Sequence, residues 1–256
     1  MLFSLLSTLA LGPVVILAFW YDVKDRYEKE PRCDLALGLL FGAMATGPVL
    51  GVDWWGLKTG MSQGAASSAF LFSAANEEAF KLGISFFLTW RNPYFNEPLD
   101  GIIYCVFVSL GFAAAENMIY VFHPQMGGIE TALSRAVFSV PAHGLFGVQM
   151  GYYFGGWRYS KWGGWAGAAS FGAAWLSHGL YNWILLGGFP WEGLLLAIFC
   201  LFLWGDGAKK ILRHQMASPF RGCRGIRFFS ANNGKTGIKR KKTATKSQDK
   251  GQRCKD

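Results

Sequence analysis

Eight residues that can move a proton, hold a cation or donate to an oxyanion lie deep within apolar sequence: Glu77, Glu78 and Lys81; Glu116 and Asn117; His143; and His178 with Asn182. Two histidines and several carboxylates are the donors a divalent metal, typically Zn2+, takes from a protein, with one further glutamate left to deprotonate the attacking water. The same side chains also work without a metal. A glutamate and a histidine then activate the water, while a histidine and an asparagine steady the oxyanion. Spacing leaves both chemistries open. Glu77 with Lys81, and His178 with Asn182, stand four apart, so each pair shares one side of a helix. Glu78 points about 100° away from Glu77, which gives one carboxylate to the lysine and frees the other. Gly144 and Gly147 beside His143 let a backbone or a substrate come close.

The elements that must position these groups are membrane helices. Of 256 residues, 52% are hydrophobic and 16% charged, and the apolar ones fall in blocks of about twenty, the length that crosses a bilayer. Thirty-three glycines and eleven tryptophans fit close helix contact and interfacial anchoring. The expected fold is all-α, a polytopic bundle of about seven transmembrane helices. These cover roughly 2–19, 35–52, 65–90, 99–122, 132–157, 164–186 and a last one ending near Trp204. Each charge at a bilayer centre costs about 2.5 to 3.5 kcal/mol, against about 0.3 to 0.6 returned per apolar residue. The helix carrying Glu77, Glu78 and Lys81 therefore needs partners, and a helix kept at that cost marks a functional site. Counted from the cytoplasmic helix ends, Glu77, His143 and His178 lie about 20 Å deep and Glu116 about 26 Å. One shared level on four helices is the pattern of a single site.

Lysine and arginine set the orientation. Lys24, Arg26, Lys29, Arg32, Arg91, Arg158 and Lys161 fall on the side of the basic C-terminal tail, leaving Lys58 and Arg135 opposite. The N-terminus is thus expected outside and the C-terminus in the cytoplasm. Residues 1–205 form the transmembrane domain, and 206–256 a basic tail expected to be disordered. That tail suits the positive-inside rule and anionic lipid better than nucleic acid, and no nucleic-acid partner is expected. The first helix lacks a basic n-region and a clear cleavage site, so it reads as a span and not a secretory signal. The five cysteines have no paired spacing and read as ordinary thiols.

Each element also has a plainer explanation. Glu77 with Lys81 could be an ion pair that only holds helices together, Glu116-Asn117 an interhelical hydrogen-bonding device, and either histidine structural. Buried Glu, His and Lys also build proton relays, which makes a proton-coupled transporter the competing class, with a catalytically silent scaffold as a third. Internal repeats and paired broken helices, the marks of a transporter, are not detectable.

In order, Glu77-Glu78-x-x-Lys81, Phe112-x-x-x-Glu116-Asn117, His143-x-x-x-Gly147 and His178-x-x-x-Asn182 resemble the motifs of the PrsW family of intramembrane proteases. Asp25-Arg26-Tyr27-Glu28-x-Glu30-Pro31 resembles that family's acidic segment after the first helix. The wider superfamily holds the CAAX prenyl endopeptidases and bacteriocin-processing enzymes. The CAAX relatives carry E-E-x-x-x-R and a histidine where this chain has Lys81 and Glu116, which argues against a prenylated substrate. The resemblance implies a multi-pass peptidase of the bacterial plasma membrane that cuts a membrane-anchored protein, such as an anti-sigma factor in stress signalling. It is expected to use Glu77 or Glu78 as base, with His143 and His178 as metal ligands or oxyanion partners and Glu78 and Glu116 as further metal ligands. Asn182 would polarise the scissile carbonyl, and Lys81 would keep a carboxylate ionised.

Overall fold

The computed structural model describes residues 1–61 and 64–221, and among the described residues all regular structure is helical. Seven long rods follow one another there: α1 (Leu2–Lys24), α2 (Arg32–Lys58), α3 (Ala75–Thr89), α4 (Pro98–Val121), α5 (Val140–Arg158), α6 (Gly164–Leu186) and α7 (Glu192–Ala217). α3 continues a rod that starts at Ala65–Ser67 and passes through a π-helical segment, Ser68–Ala74. α5 is likewise preceded by Ile129–Ser134 and a π-helical segment, Arg135–Ser139. Among the described residues three rods, α1, α2 and α4, are long and apolar enough to cross a membrane by length and composition, with mean hydropathies of 2.3, 1.9 and 1.8. In α5 and α6, glycines, tryptophans and inward polar side chains dilute the apolar stretch.

α4 is the axis of the bundle. Proline opens it at its first turn, where no intrahelical N–H is needed, and every residue from Pro98 to Ala113 is buried. A helix apolar and buried all round must be enclosed on every side. α5, α2 and α1 do this. Against α5 the approach is backbone to backbone: a Cβ on Gly151 would lie 2.5 Å from the Gly101 carbonyl oxygen, and one on Gly101 2.5 Å from the Gly155 Cα. Small residues permit this contact in membranes, and it fixes how far His143 of α5 stands from α4.

Several boundaries differ from expectation. α2 runs past Val52 to Lys58, so Asp53 sits on a helix and not in a loop. α7 runs past Trp204 to Ala217, so the expected division at residue 205 falls inside a helix. Charge density suggested a tail there, yet the Asp206–Lys210 pair at 2.8 Å is spaced for a helix. Lys210, Ile211, His214 and Gln215 turn inward. Lys210 donates to Gln149, and Gln215 donates to the Lys24 carbonyl at 2.6 Å. The remainder of the expected tail, from residue 222, lies outside the described residues.

The ends of α1, α3, α5 and α7 meet on one side. Arg158 of α5 donates to the Thr89 and Trp90 carbonyls at 3.2 Å. Beneath this surface the α1–α2 connection folds inward. Asp25, Glu30 and the α4 cap residue Glu97 are 1%, 3% and 0% exposed, and Tyr104 donates to Glu30 Oε2 at 2.6 Å. Burial strips hydration from the charged form, pushing Asp25 up to about 7, Glu30 to about 8 and Glu97 to about 7.

Two expectations follow from this packing. Gly151→Ala forces α4 and α5 apart and should lower the unfolding temperature in nanodiscs by several degrees, whereas Gly12→Ala, whose Cβ would meet nothing within 4 Å, should not. The second concerns pH. Unfolded carboxyls lose their protons near about pH 4, so the folded chain holds extra protons above that. The stabilisation is complete below about 4 and is lost as pH rises through the folded values of about 7 to 8. The unfolding temperature should thus fall between pH 6 and pH 9, and Glu30→Gln should flatten the slope. A wild-type profile that is level over this range would refute the assignment.

Candidate active site

The centre is built on α3. Lys81 Nζ donates to Glu77 Oε2 at 2.9 Å and to Glu78 Oε1 at 2.8 Å. The lysine thus takes both carboxylates, since residues three and four apart share a helix face. The expected split, one carboxylate for the lysine and one free, does not hold. Lys81 Nζ also donates to His143 Nδ1 at 3.2 Å across from α5. With an acceptor lone pair on Nδ1, the His143 proton resides on Nε2, which donates to Glu116 Oε2 at 2.9 Å. From α6, His178 Nδ1 lies 2.8 Å from Glu78 Oε1 and 3.8 Å from Glu77 Oε2. The two imidazoles stand edge to face at 5.3 Å, and Phe146 stacks on His178 at 4.7 Å.

Of the eight positions singled out, the structure brings five into direct contact: Glu77, Glu78, Lys81, His143 and His178. Two more join at one remove. Glu116 reaches the centre through His143, and Asn182 donates to Ser73 Oγ at 2.7 Å, which donates to Glu77 Oε1 at 3.1 Å. Asn117 faces elsewhere. It donates to the Ala10 carbonyl of α1 at 2.7 Å and accepts from Arg135 Nε at 2.7 Å.

Four further residues were not singled out. Arg135 Nη2 donates to Glu116 Oε2 at 2.8 Å, and Asn76 donates to Asp53 Oδ1 at 3.2 Å. Ser73 completes the path to Asn182. Arg135 was assigned to an outer loop, although an arginine at the edge of a long apolar run already signals an inward partner. Asp53 was hidden by the misplaced end of α2. Glu77, Glu78, Lys81, His143 and His178 are at most 5% exposed, whereas Asp53, Ser73, Asn76, Glu116, Arg135 and Asn182 are half-buried and form a polar rim. A cavity of about 360 Å³ opens beside that rim, lined by Tyr120, Met126, Glu130, Thr131, Ser134 and Arg135.

The π-helical segments place these groups. Both sit directly before a stretch of candidate residues, Ser68–Ala74 ahead of Glu77 and Arg135–Ser139 ahead of His143, and such wide turns recur at functional sites. The Phe70 carbonyl accepts from both the Ala75 amide and the Trp175 indole, the latter at 2.7 Å. Gly179 leaves room for the Phe70 ring on α6.

Among the described residues one set of side chains could hold a metal ion: Glu77, Glu78, His143 and His178 offer donor atoms within 4.8 Å of one another. Two imidazoles and two carboxylates suit zinc chemistry. Glu78 Oε2, fully buried and without a hydrogen-bond partner, is an uncommitted donor of the kind a metal takes up. Glu116, expected in this set, stands outside it. It lies about a helical turn deeper along α4 than the others do on their helices and is drawn to Arg135. Three carboxylates, Glu77, Glu78 and Glu116, face two permanent cations, Lys81 and Arg135.

Apolar helices closed around acid, base and imidazole groups that lipid would expel, with a polar rim beside them, make a site whose groups suit membrane-embedded hydrolysis. The comparisons name its kind. A family model described as "PrsW family intramembrane metalloprotease" matches residues 30–205. Protease PrsW of Geobacillus kaustophilus is 36% identical over 217 residues, covering 82% of this chain and 92% of that protein. Protease PrsW of Clostridioides difficile is 32% identical over 220 residues, with 82% and 92% covered. Protease PrsW of Bacillus subtilis is 32% identical over 215 residues, with 82% and 94% covered. No solved structure matches the chain. The chain belongs to the PrsW family of intramembrane proteases; it is a membrane protein and a peptidase, and the carrier and silent-scaffold readings fall away.

Arg135 makes the first test of this geometry. Arg135→Met leaves the Glu116 charge on His143 alone and unties Asn117. Cleavage of a membrane-anchored reporter should fall about 10- to 100-fold, the usual effect of removing a group that orients a site side chain. Arg135→Lys, which cannot bridge both partners, should recover only part of the loss.

Proposed function

We propose that the chain hydrolyses a peptide bond of a membrane-anchored protein, of the anti-sigma-factor kind that links proteolysis to stress signalling, with Glu77 as the water-activating base. The carrying observation is the unequal setting of the two carboxylates. Glu78 is sealed at 0% exposure between Lys81 and His178, whereas Glu77, at 5%, is held by Lys81 and Ser73 beside the half-buried rim. Water reaches Glu77 first. The carboxylate takes a proton as the water oxygen attacks the scissile carbonyl carbon, and returns it to the leaving amine as the C–N bond breaks. Lys81 keeps Glu77 ionised until that transfer. Asn182, one hydroxyl away from Glu77, is placed to steady the developing oxyanion.

If a Zn2+ displaces the Lys81 ammonium, Glu78, His143 and His178 are the side chains that would hold it, a donor set of the kind catalytic zinc uses. Such an ion would supply Lewis-acid polarisation of the carbonyl. Proton movement stays with Glu77.

In this reading all seven rods span the bacterial plasma membrane, with the N-terminus outside. The alternation of helix ends supports it: α1, α3, α5 and α7 finish together, tied by Gln215 to Lys24 and by Arg158 to Thr89. Lys24, Lys29, Arg91 and Lys161 lie at that end. Arg135, bonded within the site, no longer counts as a loop charge on the opposite side. The rim then faces outward. Residues 206–256 are proposed to be cytoplasmic, with the basic part beyond α7 drawn to anionic lipid.

In proteoliposomes carrying a reporter substrate, Glu77→Gln should lower the cleavage rate by about 10²- to 10⁴-fold, the range for a lost general acid–base. Glu78→Gln and His178→Ala should fall comparably, and His123→Ala, whose ring accepts from the neighbouring Gln125 and Met126 amides, should stay at the wild-type rate. Normal cleavage by a folded Glu77→Gln chain would sink the assignment.

A further inference from the structure

We infer that the Lys81 ammonium is the resident cation of the Glu77, Glu78, His143 and His178 donor set, and that a divalent ion enters this set only by displacing it. The inference rests on reading those four side chains as the hydrolytic centre. Three of them already commit an atom to the ammonium, at 2.9, 2.8 and 3.2 Å. His143 is the telling case. Its Nε2 is engaged by Glu116 at 2.9 Å, so the lone pair it could offer a metal is the one on Nδ1, and Lys81 holds it. A metal takes imidazole nitrogen at about 2.0 to 2.1 Å. An ion so bound would crowd an ammonium that contacts the same nitrogen, two like charges in a poorly screened interior.

Lys81 has no easy retreat. It is 0% exposed, and the Phe112 ring lies 4.2 Å from Nζ, a cation–π contact that favours the charged form in place. Atoms not committed to the ammonium do exist: Glu78 Oε2 has no partner. These would give an arriving ion a first foothold on α3, while His143 would join only after the lysine moves. The donor set thus behaves as a site with a built-in competitor, closed by one of its own side chains.

Metal affinity tests this without any substrate. The full chain in nanodiscs is titrated with Zn2+ against a chromophoric chelator, and its unfolding temperature is measured with and without the chelator. Wild type and Lys81→Arg are expected to bind weakly, to lose the ion on dialysis and to unfold at a temperature indifferent to the chelator. Lys81→Met, which keeps the length and removes the charge, should bind one ion per chain about tenfold tighter or more, and its unfolding temperature should drop when the chelator is added. One chelator-resistant ion per wild-type chain, or a Lys81→Met chain that binds no tighter, would overturn the inference. If Lys81→Met does not fold, Lys81→Gln replaces it; if neither folds, the wild-type titration decides alone. A wild type that cleaves its substrate but fails these expectations removes only the competitor role; a folded Glu77→Gln that still cleaves removes the reading beneath it.

Discussion

An ammonium and two carboxylates on one turn of helix, with no solvent reaching two of the three, hold only if everything around them is complete. Removing one member of a buried ion pair typically costs about 3 to 5 kcal/mol, because the charge left behind has neither partner nor water. Lys81, Glu77 and Glu78 therefore oblige three other helices to contribute: Phe112 from α4 lies over the ammonium, His143 from α5 accepts from it, and His178 from α6 engages Glu78. Each of those residues would be a liability on its own helix. Together they satisfy one another, and the glycine contact of α4 with α5 brings His143 near enough to take part.

Around this centre lies a second ring of hydrogen-bonded side chains. Arg135 holds Glu116, which holds the Nε2 proton of His143 and so fixes which nitrogen faces Lys81. The same arginine grips Asn117, whose amide is anchored on the Ala10 carbonyl, so α1 is linked to the site without contributing to it. On the other flank Asn182 and Ser73 set Glu77, and Trp175 ties α6 to the wide turn before α3. Networks of this sort give a side chain one rotamer where a lone ion pair would allow several.

Much of this was legible in the residues because the membrane penalises strays. A glutamate, lysine or histidine at mid-depth must have a reason, and depth counted along each helix correctly grouped Glu77, His143 and His178. The same count grouped Glu116 with them because it allowed a turn of difference, and that offset leaves it behind His143 and outside the four-donor set. What eluded the sequence depended on side-chain reach. Lys81 bridges both glutamates because a four-carbon stem covers the 100° between neighbouring positions, which a projection of Cβ directions does not show. The ends of α2 and α7 were set too early because charge was read as loop, although Asp53 and Lys210 are charges that helices carry inward or along the surface. Arg135 was missed for the same reason.

The two π-helical segments have a consequence for how this protein tolerates change in chain length. Each closes its turn over one residue more than an α-turn does, so each shifts by about 100° the direction in which everything downstream points relative to what lies upstream. Phe70 and Ser73 lie within the first wide turn and Glu77, Glu78 and Lys81 beyond it; Arg135 opens the second and His143 follows it. Loss of a single codon within either segment would restore an ordinary helix while leaving its composition as apolar as before. The acids or the imidazole would then face lipid or the wrong neighbour. In these two short stretches the phase of the helix carries more information than the identity of its residues.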